Sequence, residues 1–291
     1  MFRSHTGLIA AFCAFSLWGV LPLYWLQLDF MAPSAIVAHR TLWSLAILGM
    51  VLLGRREGKV MIQQFCTPRA IGWLLLSGIL LATNWILYVW ATLNDRIIEG
   101  SLGYYLNPFF NMLFGALWFG ERHNRAQSIA IALALFGVVI QLPTAGTFPW
   151  VALTLAVTFS LYAVIKKRGA AGSRLGLTAE SALLAPIALI WLCWQFDSPT
   201  AAFGGSWTHG LWLLGAGFAT TVPLLLFGYS TRNIRLTTLG MIQFIGPTIQ
   251  LFIGWRLYNE PMPPTRLLSF ALIWAAIAIY SWDGVTKAKT T

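Results

Sequence analysis

Charge is what this chain has least of: of 291 residues only 10% are Asp, Glu, Lys or Arg, while 58% are hydrophobic. Soluble globular domains use about 25% charged and roughly 45–50% apolar residues, so this composition does not build a water-facing surface. Cysteine is nearly absent. Cys13, Cys66 and Cys193 show no close pairing, and two of them fall inside apolar runs, which argues against a disulfide framework or a metal knuckle. The four histidines, His5, His39, His123 and His209, have no ligand spacing, so no structural metal is indicated. No Walker P-loop and no soluble segment that could carry one are present, which excludes an ATP-driven pump. No nucleophile with a positioned base is visible either, so the chain is not read as an enzyme, and no cofactor is expected.

What is present is a succession of long apolar runs. A hydrocarbon core about 30 Å thick takes about 20 apolar helical residues to cross. Ten such spans are expected, at 6–28, 34–54, 70–94, 99–119, 125–141, 147–166, 175–196, 208–231, 236–258 and 264–283. The runs are continuous and too long for barrel strands, which alternate and need about ten residues. The opening resembles a signal peptide, but its apolar run continues to about Leu28 without a small-x-small cleavage site, so it is read as the first span.

The net charge of +10 raises nucleic acid as a partner, but Lys and Arg sit in short clusters between spans rather than along one polar face. Arg3, Arg55, Arg56, Lys59, Arg69, Arg122, Arg125, Lys166, Lys167, Arg168, Arg174, Arg232, Arg235, Lys287 and Lys289 all fall on the side of both termini. Only Arg96 and Arg266 fall opposite, and Arg40 and Arg256 lie within spans. The positive-inside rule then places both termini in the cytoplasm and requires an even number of spans.

A shift of 139 residues aligns the third and fourth spans with the eighth and ninth without a gap from Gly72 to Glu121. Trp73-Leu74-Leu75 meets Trp212-Leu213-Leu214, Gly78 meets Gly217, and Asn94 and Arg96 meet Asn233 and Arg235. Pro108, Gly115 and Glu121 meet Pro247, Gly254 and Glu260. Phe15 to Val20 matches Phe159 to Val164 at a slightly larger offset. The halves are read as residues 1–143 and 144–291. With five spans each, the second copy enters the membrane from the opposite face, an inverted repeat of the kind recurrent in secondary transporters.

Several runs carry a family resemblance over essentially the whole chain: Ala38-His39-Arg40, Asn84-Trp85, Glu99 to Pro108 leading to Gly120-Glu121-Arg122, Thr238-Leu239-Gly240, and Gln243 to Thr248. With these the sequence resembles the EamA-domain permeases of the drug/metabolite transporter superfamily, and among them the RarD type. The resemblance implies an all-α membrane fold of ten helices as two inverted five-helix repeats, with both termini inside and a role in metabolite or drug export. Gly100 and Asn259-Glu260-Pro261 depart mildly from the expected pattern.

Within that frame the polar residues of the spans are the site candidates, because a polar face in hydrocarbon is unfavourable and must look inward. Tyr104, Asn107 and Asn111 share one face beside Pro108, and Gln243, Gly246 and Gln250 correspond beside Pro247. Each proline removes a backbone donor and marks a hinge, as does Pro223. Asn84 and Tyr88 share a face four residues apart, and Thr220, Thr221 and Tyr229 are softer candidates. Arg40, well inside the second span, is a candidate for an anionic substrate, and Glu180, nearly its pseudo-equivalent, for a cation or proton. His39 is a second titratable candidate. Structural readings stand beside these: snorkelling for Arg40, helix-to-helix bonding for the amides, and a fixed hydrogen bond for His39 and Glu180. Glu99 is read as favouring a helix N-terminus, and Glu121 and Glu260 as fixing loops with Arg122 and Arg266.

The function that follows is secondary transport of a small molecule by alternating access in the bacterial inner membrane, coupled to a proton, another ion or a second solute. A lipid scramblase or another non-transport polytopic membrane protein is the alternative. Neither substrate, direction nor an oligomeric state is defined by these residues.

Overall fold

The computed structural model describes residues 2–28, 30–63, 67–93, 97–140, 150–169, 172–194, 207–257 and 263–290. The first half runs α1 (Phe2–Trp25), extended by a 3-10 turn (Leu26–Leu28), then α2 (Pro33–Gly54), the short connecting α3 (Gly58–Gln63), α4 (Pro68–Leu93), α5 (Ile97–Phe119) and α6 (Arg125–Val139). The second half runs α7 (Trp150–Arg168), α8 (Ser173–Trp194), α9 (Trp207–Asn233), α10 (Leu236–Gln243), α11 (Ile245–Leu257) and α12 (Pro264–Thr290). Among the described residues, eight runs are long and apolar enough to cross a membrane: α1, α2, α4, α7, α8, α9, α10 with α11, and α12. With α5, and with the 15-residue α6, about 22 Å long at the helical rise, they make up the ten-helix fold.

Local chemistry sets the boundaries. Pro33 opens α2 at a position where a helix has no intrahelical use for the missing amide. Asn124 starts α6 through a reciprocal capping box with Gln127. Gly120, at φ 62°, ends α5 in the left-handed region that favours glycine. The ninth span, expected as one run over 236–258, is two helices with a turn at Phe244. The cause is Pro247, which has no amide to donate to the carbonyl of Gln243 four residues before it. Pro108 and Pro223 sit inside α5 and α9, which continue through them.

The packing is that of two interlocked copies. α1 packs on α9 and α11, and α7 on α4 and α5; α2 packs on α9, and α8 on α4. Three pairs meet their own counterparts: α2 with α8, α5 with α10, and α6 with α12. Exchanging α1 with α7, α2 with α8, α4 with α9, α5 with α10 and α11, and α6 with α12 leaves this set of interfaces unchanged. The main interfaces therefore join one half to the other, so neither half has a core of its own. Large apolar side chains such as Leu53, Leu117 and Ile190 stand on the outside, as a lipid-facing surface requires.

Candidate functional site

A cavity of about 180 Å³ lies among α1, α2, α4, α5 and α11, in the half of the bundle away from the chain ends. Its walls are largely aromatic: Trp18 and Trp25 from α1, Trp85 and Tyr88 from α4, Tyr104 from α5 and Phe159 from α7. The Tyr88 and Tyr104 rings meet edge to face at 5.4 Å, and Trp18 meets Phe159 in the same way at 5.8 Å. Asn84, Gln243, Gln250 and the backbone around Pro247 supply its polar side. Arg40 enters from α2, with its guanidinium carbon 3.9 Å from the Trp85 ring centroid and 5.8 Å from that of Trp25. Cation and ring attract by about 0.5–2 kcal/mol in such contacts. Its Nε is buried without a hydrogen-bond partner, and among the described residues no carboxylate pairs with it.

Two of the amides proposed from spacing do not border this cavity. Asn107 and Asn111 are 1% and 0% exposed and tie helices together. Asn107 Nδ2 donates to the Ala156 carbonyl at 2.8 Å and to Ser160 Oγ at 2.9 Å, and the Ser160 hydroxyl donates back to the Asn107 carbonyl at 3.1 Å. Gln243 Nε2 donates to Asn107 Oδ1 at 2.5 Å, while Asn111 Nδ2 donates to Gln243 Oε1 at 2.9 Å. This network joins α5, α7 and α10 behind the cavity wall. It forms because the α5 and α10 backbones touch: a Cβ on Gly240 would lie 2.7 Å from the Pro108 carbonyl oxygen. Asn84 ties α4 to α7 through the Leu155 carbonyl at 2.8 Å and Thr158 Oγ1 at 3.0 Å. Asn111 Oδ1 is buried without a partner, but Gln243 and Asn84 are each fixed through these bonds, which a low dielectric strengthens, so the wall carrying them is a held surface.

On the terminus side a second cavity, about 580 Å³, lies between α4, α7 and α8. It is bordered by Arg69, Lys166 and Arg168, with Glu180 and Ser77 at its inner limit. Glu180 is 1% exposed and accepts from Lys166 Nζ at 2.6 Å, Ser77 Oγ at 2.5 Å and the Tyr162 hydroxyl at 3.2 Å. Between the two cavities lies a neck of about 10 Å³, roughly one water, lined by Thr41, Ser44, Ser181 and Thr220. It shares Trp85 and Leu224 with the first cavity and Glu180 with the second.

The remaining candidates are scattered. His39 is 2% exposed and borders none of these three spaces. Pro223 is buried within α9 away from the cavity, and Tyr229 is exposed and meets Thr6 at 2.9 Å. Thr220 and Thr221 keep buried hydroxyls without partners. Glu121 does not fix a loop through Arg122. Its carboxylate caps α10, accepting from Leu236 N at 2.7 Å, Thr237 N at 2.9 Å and Thr237 Oγ1 at 2.7 Å, because Arg235 at the cap position offers no side-chain bond. Lys167 and Arg235 stand at 3.7 and 3.8 Å from it. The side chain of Glu99, on α5, and the whole of Glu260 lie outside what is described. Sequence reasoning missed Trp18 and Trp25 as cavity walls, and it missed Lys166, which stands among the cations between spans although it is 8% exposed. The one available signal was the spacing of four between Tyr162 and Lys166, which puts both on the face that meets Glu180.

A family model described as the EamA-like transporter family matches residues 5–142. "Protein RarD" of Streptomyces exfoliatus is 38% identical over 99% of this chain and 91% of its own length, and "Protein RarD" of Escherichia coli K12 is 34% identical over 99% and 98%. The "Uncharacterized transporter YojE" of Bacillus subtilis is 38% identical over 97% and 96%. A solved crystal structure, 19% identical, superposes with a TM-score of 0.73 over 96% of this chain and 97% of that one. Ten apolar helices in an interlocked double repeat, together with these relatives, define a polytopic membrane transporter of the permease class. The chain belongs to the EamA-like transporter family and, within it, to the RarD type.

Proposed function

We propose that this protein is a secondary active transporter that moves a small metabolite or drug-like molecule across the bacterial inner membrane by alternating access, with both termini cytoplasmic. The observation that carries the reading is the unequal state of two positions related by the repeat. A Cβ on Gly217 would lie 2.6 Å from Trp43 Cβ, whereas one on its counterpart Gly78 would meet nothing within 4 Å. α9 is held against α1 and α2 by the Tyr24 hydroxyl, which donates to the Trp212 carbonyl, and by Ser44 Oγ on the Gly217 carbonyl at 3.3 Å. The equivalent seam of α4 with α8 instead borders the 580 Å³ cavity. One packing shut and its copy open is the starting point for alternation: exchanging the two opens the far side and closes the near one.

Arg40, Asn84, Tyr88, Tyr104, Gln243 and Gln250 then form the substrate walls, with Asn107 and Asn111 holding them and Pro247 as the hinge. Glu180 is the coupling carboxylate in preference to His39, because it borders both neck and terminus-side cavity. The two repeats are assigned to 1–143 and 144–291, a boundary that itself falls outside the described residues. Small solute, lipid and a coupling ion such as a proton are the partners; neither nucleic acid nor enzymatic turnover enters. Purified protein in liposomes is expected to exchange a radiolabelled small solute saturably, and Gln243→Ala to slow that exchange about tenfold. Folded protein that moves no member of a broad solute panel, or that moves fluorescent lipid regardless of solute gradients, overturns the reading.

A further inference from the structure

The far-side cavity holds a cation that no described residue neutralises. Among the described residues Arg40 has no hydrogen-bond or ion-pair partner, and its Nε is fully buried. One face of the guanidinium is covered by Trp85 at 3.9 Å. Covering the face leaves the in-plane N–H groups, which fork at the spacing of a carboxylate's two oxygens. None of the described residues bordering the cavity is acidic. Holding an ionised side chain at membrane depth without a counter-charge is unfavourable, and aromatic faces offset only part of that cost. The amides nearby do not answer it either: Asn84 donates its Nδ2 to α7, and Gln243 spends both ends of its amide on Asn107 and Asn111.

From this geometry we infer that the substrate is an organic monoanion with a flat aromatic body, bound through its carboxylate to Arg40 and through its ring between the aromatic walls. This rests on the transport reading given above and names the solute class of that site. A zwitterionic amino acid fits less well, since its ammonium finds no carboxylate among the described walls. A neutral solute leaves the guanidinium uncompensated, and a cation is repelled by it. Trp18, Trp25 and Trp85 supply the faces for the ring, while Tyr104 closes one side against Tyr88.

A matched set of indole compounds isolates charge from shape: indole-3-acetate (anion), indole-3-acetamide (neutral), tryptamine (cation) and tryptophan (zwitterion), with butyrate as an acid lacking a ring. Binding to the purified full-length protein in detergent is measured by titration calorimetry. Indole-3-acetate is expected to bind at least about tenfold more tightly than each of the others, the scale of one charge-assisted hydrogen bond. Arg40→Gln is expected to erase the preference for acetate over acetamide, Arg40→Lys to keep part of it, and Trp85→Leu to weaken indole-3-acetate while leaving butyrate unchanged. Equal binding of acetate and acetamide, or tighter binding of tryptamine or tryptophan, overturns the inference, and this ligand series decides it on the unmodified protein even if Arg40→Gln fails to fold. Counterflow in liposomes separates the two levels: exchange of a neutral or cationic solute without anion binding removes the substrate class and leaves transport standing, whereas tight indole-3-acetate binding without movement of any solute removes transport and leaves the site.

Discussion

Replacing Lys166 with Met strips the Glu180 carboxylate, at a position that is 1% exposed, of its one counter-charge among the described residues. Leaving a buried charge unpaired costs about 3–5 kcal/mol. The bonds from Ser77 and Tyr162 are made in both the native protein and the variant, so they do not reduce the difference. Glu180→Gln is not its mirror image. The glutamine keeps an acceptor for Ser77 and Tyr162, and the freed Lys166 ammonium borders the 580 Å³ terminus-side cavity, where water can solvate it. That change is expected to cost about 1–2 kcal/mol. The double variant removes both charges and is expected to lie near the Glu180→Gln value, so the coupling energy equals the Lys166→Met cost in magnitude, about 3–5 kcal/mol. Unfolding in mixed micelles with rising SDS, followed by far-ultraviolet circular dichroism, reads all four proteins. Equal and additive losses for the two single variants, within about 0.5 kcal/mol, would show that the pair is solvated and that the terminus-side gate is wrongly drawn. The same proteins test coupling: Glu180→Gln is expected to keep solute exchange and lose uphill accumulation.

Gly217→Ala is expected to destabilise the protein by about 1–3 kcal/mol through overpacking against Trp43, while Gly78→Ala stays within about 0.5 kcal/mol, both read by the same titration. Glu121→Gln is expected to cost about 2–3 kcal/mol, because a neutral amide replaces a carboxylate accepting three bonds at the start of α10; amide exchange over Leu236 to Met241 should rise in step. Burial, and then the Arg235 guanidinium, hold His123 below its ordinary value of 6.5, against the pull of Glu121. The native state thus binds fewer protons there than the unfolded chain, so this contribution is complete above the ordinary histidine range and is lost as pH falls through the lower folded value. The drop in stability from about pH 7.5 to about pH 5 should shrink in His123→Gln; an unchanged slope would show that this imidazole does not titrate in the transition.

Helix number, order and the inverted duplication were legible because they depend on apolar length, on where Arg and Lys fall, and on matched Pro, Gly and Glu residues. The break at Phe244 was legible in kind and not in extent, since Pro247 and Pro108 lie at matching positions and only the former ends a helix. What an amide bonds to was not legible. Tyr104, Asn107 and Asn111 lie on one helical face, yet Tyr104 borders the cavity and the two asparagines bind α7 and α10. A helical face about 100° wide spans both a cavity and the seam beside it, so spacing alone does not divide them. Lys166 was hidden for a related reason: its α7 position is near enough to the span's end to read as a loop cation, and only the approach of α8 turns it into the partner of Glu180.

The repeat also explains which residues were kept alike and which were not. Pro108 and Pro247, and Gly78 and Gly217, shape backbones, and under the proposed alternation both copies need the same backbone. The side chains at the spaces between the helices have no such constraint. Tyr104 faces the cavity where Gln243 stands in the other half, and Asn107 occupies the position of Gly246, whose missing side chain leaves a Cβ position 3.3 Å from the Phe15 carbonyl. Arg40 and Glu180, at nearly corresponding positions, carry opposite charges on opposite sides of the neck. A solute seated on a pseudo-twofold axis is itself asymmetric, so a site built from two copies gains affinity only where the copies diverge. The far-side cation and the terminus-side carboxylate are that divergence, and it is on this divergence that the proposed anion and coupling sites rest.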